Sequence, residues 1–148
     1  MGRRVMAGGW NRPGSMPGLD GAAEVWPSRQ IILPPADQAP GLARLATRDV
    51  LAAWQLAGLA DTAVLLVSEL VTNSVRHACT SLALRLEIAG TSLRIEVHDH
   101  EPRRPQPRTP DGLEESGFGL VLVDALASKW GVFDTSTGKA VWAELRFS

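Results

Sequence analysis

Apolar and polar positions along the chain recur with two different periods, and glycine and proline mark the breaks between them. Residues 30–33 read as a short strand, closed by Pro34-Pro35 because proline has no amide hydrogen to give a sheet. Asp37 opens the cap region of a helix predicted over about 40–55. There Leu42, Leu45, Ala46, Asp49 and Val50 follow helical spacing, and Gly58 marks the end. Asp61 reads as the cap of a second helix that runs to about His77. Its apolar face is Ala63, Val67, Leu70, Val71 and Ala78. Residues 81–88 and 93–99 alternate as the strands of an antiparallel hairpin that turns at 89–91. Pro102, Pro105, Pro107 and Pro110 make 101–116 a loop. A third helix follows over about 117–129, then strands at 130–134 and 140–147 joined by a turn at 136–138.

The order β-α-α-β-β-loop-α-β-β, with its hairpins and grouped helices, predicts an α+β fold. It is a two-layer α/β sandwich, in which a mixed, mostly antiparallel sheet carries helices on one face. Residues 1–27, rich in Gly and Pro without period, read as a flexible tail, and 28–148 as one domain. A chain of 148 residues can bury its own core. The net charge of -1 gives no electrostatic reason for a nucleic acid or membrane partner. The single cysteine, Cys79, excludes an intramolecular disulfide or a multi-cysteine zinc site. No apolar region follows Arg3 and Arg4, and no run of about 20 apolar residues is evident. The expected location is the cytoplasm.

The second helix carries the first candidate chemistry. Glu69 and Asn73 are four apart and therefore neighbours, with Arg76 a further turn along. Leu65 and Leu66 fall one turn earlier on the same side, which suggests that the polar stripe lines a cleft. A carboxylate and an amide oxygen so spaced suit a hydrated Mg²⁺, which takes hard oxygen ligands. On the 93–99 strand, Leu93, Ile95 and Val97 share one face, and Arg94, Glu96 and His98 the other. Asp99 continues the apolar face, where an unpaired carboxylate suffers a penalty of about a few kcal/mol. An adenine amine is one donor for it, and a turn amide is another. Gly117 and Gly119 open the third helix, where free first-turn amides suit phosphate oxygens.

Taken in order, these segments resemble the GHKL (histidine kinase-like) ATPase superfamily, and within it the bacterial anti-sigma factor serine/threonine kinases. The resemblance spans roughly 28–148 and is most specific in Ser68-Glu-Leu-Val-Thr-Asn-Ser-Val-Arg-His-Ala78, which resembles the family's N box. It implies that Asn73 ligates Mg²⁺, that Glu69 is the general base, and that Asp99 binds the adenine amine of ATP. Glu115-Ser-Gly-Phe-Gly-Leu-Val-Leu-Val123 resembles the glycine box, which implies nucleotide contacts at Gly117, Gly119 and Leu120 and, from the N box, at Arg76. Residues 138–145 resemble the family's final strand.

Three departures stand out. His100, Glu101, Pro102 and Arg103 replace the family's Asp-x-Gly-x-Gly continuation after Asp99. Phe118 occupies a position where an arginine is common, and Ala140 one where a threonine is usual. Arg103, Arg104 and Arg108 fall in the segment that corresponds to the ATP lid.

Two functions follow from the resemblance. One is phosphorylation of a small anti-sigma factor antagonist, with a sigma factor as a further partner and a homodimer as a possible assembly. The alternative is a non-catalytic partner-switching module that uses ATP as a conformational ligand or binds it in degenerate form.

Overall fold

A computed structural model describes residues 4–5, 26–78, 80–101 and 117–147. Its strands are β1 (Arg4–Val5), β2 (Ser28–Leu33), β3 (Leu82–Ala89), β4 (Ser92–His98), β5 (Lys129–Asp134) and β6 (Lys139–Arg146). Its helices are α1 (Ala39–Ala53), α2 (Ala60–His77) and α3 (Gly117–Leu126). The sheet order is β1-β5-β6-β4-β3-β2. All neighbouring pairs are antiparallel except β1, which lies parallel to β5. This is the α+β sandwich that the pattern predicts, although Arg4–Val5, part of the segment read as a tail, forms a short strand at one edge.

The core lies between the helices and one sheet face. Leu82, Leu84 and Leu86 of β3, Leu93, Ile95 and Val97 of β4, and Ala143 and Leu145 of β6 meet Val50 and Leu51 of α1 and Leu66, Val67, Leu70 and Val71 of α2. Burying each large side chain contributes about 1.5–3 kcal/mol. The β3–β4 hairpin closes through Gly90, whose φ of 64° is the left-handed conformation that glycine adopts without strain.

Several local expectations are corrected. The buried stripe of α1 is Ala39, Ala43, Thr47, Val50 and Leu51, so its register is turned from the Leu42/Leu45 face predicted. Those two leucines are 45% and 66% exposed. Thr47 is tolerated inside because its hydroxyl donates to the Ala43 carbonyl at 2.8 Å. Helix α1 ends before Gly58, because Gln55 takes a φ of 62° and the Leu56 amide turns back to the Leu51 carbonyl at 2.7 Å. Neither Asp37 nor Asp61 caps a helix: the cap residues are Gln38 and Leu59, without side-chain bonds. Asp61 sits inside the first turn of α2 and pairs with Arg48 at 3.1 Å.

A helical stretch at 57–77 does have the length and hydropathy of a membrane span, contrary to expectation. It is α2 with its leading turn, and most of its apolar residues are buried in the protein core.

Candidate functional site

Helix α2 lies between α1 and α3 and packs on the sheet through β3, β4 and β6. Arg44 of α1 donates to the Ser68 hydroxyl at 3.0 Å, which marks the flank of α2 that α1 covers. At about 100° per residue, Glu69 and Asn73 follow ~100° and ~140° further round, on the flank turned away from that contact. Both are half-buried, whereas Arg76 is exposed in the last turn. Leu65 and Leu66 do not form one wall of a cleft, contrary to expectation. Adjacent helical positions diverge too far to share a face, so Leu66 enters the core and Leu65 is 47% exposed. The side of Glu69 and Asn73 is instead bounded by the buried arc that begins at Leu66.

Chain direction gathers the other candidates at one end of the sheet. Helix α2 finishes at His77 and β3 starts at Leu82, with Ala83 paired to His98 at the end of β4. Thr80 Oγ1 accepts the His100 amide at 3.0 Å and ties these two chain segments together. At the other end α3 runs into β5, where the Ser128 amide donates to the Glu144 carbonyl at 2.8 Å. The first turn of α3, with the backbone of Gly117, Gly119 and Leu120, therefore points back toward the end that holds Asp99. The preceding loop, with Arg103, Arg104, Arg108, Glu115 and Ser116, and also Cys79, lies outside the described residues.

Asp99 turns inward as expected and is 2% exposed. Its Oδ1 accepts the Glu101 amide at 3.0 Å and the Lys139 amide at 3.3 Å. Its Oδ2 accepts Lys139 Nζ at 2.6 Å, a charge-assisted bond that sequence reasoning missed. The available signal was register: His98 faces Ala140, so the next residue of each strand, Asp99 and Lys139, must also meet. The Asp99 amide closes that pair on the Lys139 carbonyl at 3.0 Å. Gly138 permits the approach, since a Cβ there would fall 2.4 Å from the Asp99 carbonyl oxygen and 2.7 Å from Oδ1.

The second surprise lies on the opposite sheet face. Arg94 and Glu96, assigned to a polar face, are 0% and 1% exposed. Arg94 Nε donates to Glu96 Oε2 at 2.6 Å and its Nη1 to Glu144 Oε2 at 3.2 Å. The guanidinium also stacks on Trp142, 4.1 Å from the ring centroid. His98 Nε2 donates to Glu96 Oε1 at 2.8 Å, and its ring meets Phe133 edge-on. Burial pushes the Glu96 pKa up, but the hydrogen bonds of His98 and Arg94 and their charge outweigh it and hold the carboxyl at about 2. Burial lowers the Arg94 pKa, against the opposing pull of Glu96 and Glu144.

A shallow groove of about 550 Å³ on α1 and α2, lined by Leu42, Arg44, Leu45 and Val64 among others, takes in none of Glu69, Asn73 or Asp99. Among the described residues no cluster of three or more His, Cys, Asp or Glu could hold a metal. A cation at Asn73 would draw its other ligands from water and phosphate oxygens, as Mg²⁺ commonly does. The residues present thus fit a magnesium nucleotide by chemistry: two half-buried hard-oxygen groups, and a buried carboxylate already accepting a cationic N–H.

A comparison with curated proteins gives no match. The family model of the histidine kinase-like ATPase domain matches residues 33–145, which takes in every described element from the end of β2 to β6. The match supports ATP binding and a regulatory role. With α2, Asp99 and α3 ordered along the chain as in the sequence pattern and most of the chain inside that model, the protein belongs to the histidine kinase-like ATPase family.

Proposed function

We propose that this chain is a serine/threonine protein kinase of anti-sigma type that phosphorylates a small antagonist protein, using magnesium ATP. The half-buried Glu69/Asn73 pair carries this reading: a carboxylate and an amide stand on the flank of α2 away from α1, and α2 ends beside the strand end bearing Asp99. When bound, ATP supplies a transferable phosphoryl group. The Asn73 amide oxygen would hold the magnesium ion, and the Glu69 carboxylate would take the proton of the attacking hydroxyl. Asp99 would accept from the base, and the amides at the start of α3, including Gly117, Gly119 and Leu120, would bind phosphate oxygens. Arg76, exposed at the end of α2, would add positive charge on the same flank.

Titration calorimetry tests the nucleotide half of the proposal. Asn73→Ala is expected to weaken Mg-ATP binding about tenfold or more, and equal affinity would reject the metal assignment. Phosphotransfer to candidate antagonists tests the chemistry. Glu69→Ala is expected to reduce transfer at least ~100-fold while ATP still binds. Tight partner binding in the presence of Mg-ATP without turnover would favour the partner-switching alternative. The Lys139 ammonium on Asp99 is the observation on that side, since it leaves the base-binding carboxylate already occupied.

A further inference from the structure

We infer that Lys139 is an internal competitor for the base-binding carboxylate, so that a purine amine reaches Asp99 only by displacing the Lys139 ammonium. The inference rests on the proposal that Asp99 receives the base of ATP.

Both oxygens of Asp99 are engaged by its own chain. Oδ1 takes two backbone amides, which hold the carboxylate in place, and Oδ2 takes Nζ of Lys139 at 2.6 Å. The two sets of bonds differ in permanence. The amides belong to backbone that the β4–β6 pairing and the local turn at 99–101 hold in place. The ammonium sits on a four-carbon stem, and the Lys139 side chain keeps 22% exposure, so it can swing to solvent and rehydrate. Oδ2 is therefore the one position on this buried group that a ligand can win.

The competition is unequal. A cationic N–H on a carboxylate is roughly twice as strong as a neutral one, whereas an exocyclic amine is a neutral donor. Strand pairing reinforces the lysine. Gly138 brings the β5–β6 turn against Asp99 with no room for a Cβ, and Lys139 follows it directly in the position opposite Asp99. Lys139 thus tunes both affinity and base choice. It weakens adenine, which must offer its amine to Oδ2. Guanine carries a carbonyl oxygen where adenine has its amine, so it cannot offer Oδ2 that same donor.

The test uses the full chain and titration calorimetry with Mg-ATP and Mg-GTP on the wild type, Lys139→Ala and Lys139→Met. The methionine retains the stem without the charge. Both variants are expected to bind ATP about tenfold or more tightly than the wild type, with GTP unchanged, so that the ATP/GTP ratio rises by the same factor. Unchanged ATP affinity, weaker ATP affinity, or equal gains for both nucleotides would each overturn the inference while leaving ATP binding intact. Failure of wild type and variants alike to bind any nucleotide would overturn the inference and the proposed function together.

A measurement on the wild type keeps the idea testable if the variants do not fold. The chain has only two lysines, Lys129 and Lys139, so their Nζ resonances can be followed separately by NMR with labelled lysine. Addition of Mg-ATP is expected to shift Lys139 Nζ to the position of a solvated ammonium and to leave Lys129 in place. A Lys139 signal unmoved at saturating ATP refutes the displacement.

Discussion

Glu96→Gln replaces a buried carboxylate by an amide of the same shape, and the surroundings of that carboxylate set the size of the effect. In the fold the Arg94 guanidinium and the His98 ring both donate to it, at 2.6 and 2.8 Å, and hold its pKa at about 2 rather than the ordinary 4.5. The folded state therefore favours the ionised form. The difference corresponds to about 3 kcal/mol of stability at neutral pH. Because the pKa is depressed, that contribution is complete above about pH 4.5 and is lost as pH falls through about 2. At pH 3 roughly half of it remains. Urea unfolding of wild type and Glu96→Gln at pH 7 and pH 3 measures both values. With an m value of about 1.5 kcal/mol/M, the variant's midpoint is expected to fall by about 2 M at pH 7. The shift is expected to be about half as large at pH 3, and comparing variant with wild type at each pH removes the contribution of titrating groups that do not touch Glu96. An equal loss at the two pH values, or a loss at pH 7 below about 1 kcal/mol, would refute the assignment of the low pKa to this hydrogen-bonded cluster.

The close approach of Gly138 to Asp99 gives a second stability test. Gly138→Ala is expected to lower stability by about 1–3 kcal/mol by forcing the β5–β6 turn off the carboxylate, and thermal melting that matches wild type would count against the approach. In the core, Leu70→Ala is expected to cost about 2–5 kcal/mol, whereas Leu45→Ala, on the exposed face of α1, is expected to stay within about 0.5 kcal/mol. A large loss at Leu45 would mean that the exposed side of α1 is covered in solution.

Most of the architecture was legible because it depends on local period. Strand alternation in 93–99 placed Leu93, Ile95, Val97 and Asp99 on one face, and the fold buries all four. The N-box helix was legible for the same reason, since a spacing of four makes Glu69 and Asn73 neighbours whatever packs around them. Period alone does not say which of two faces is dry. Arg94, Glu96 and His98 alternate correctly with the core residues, yet Arg94 and Glu96 lose solvent because Trp142 and Glu144 stand across from them in β6. That pairing joins segments more than forty residues apart, and it exists only once the sheet order is known.

Asp99 shows the same limit at the candidate site. Its inward direction followed from alternation, but its partner did not, because Lys139 arrives through the register of β4 with β6. A buried carboxylate reads as a vacancy for a ligand when only its own strand is considered. The full sheet supplies a cation directly across, from the start of the neighbouring strand, and the question changes from whether Asp99 can accept a donor to which donor wins. Under the proposed base-binding role the contested position is Oδ2, since Oδ1 already accepts two backbone amides. If Asp99 receives the base as proposed, the adenine part of the affinity is a balance at Oδ2, between an ammonium that can rehydrate at the surface and a neutral amine that must give up water to enter.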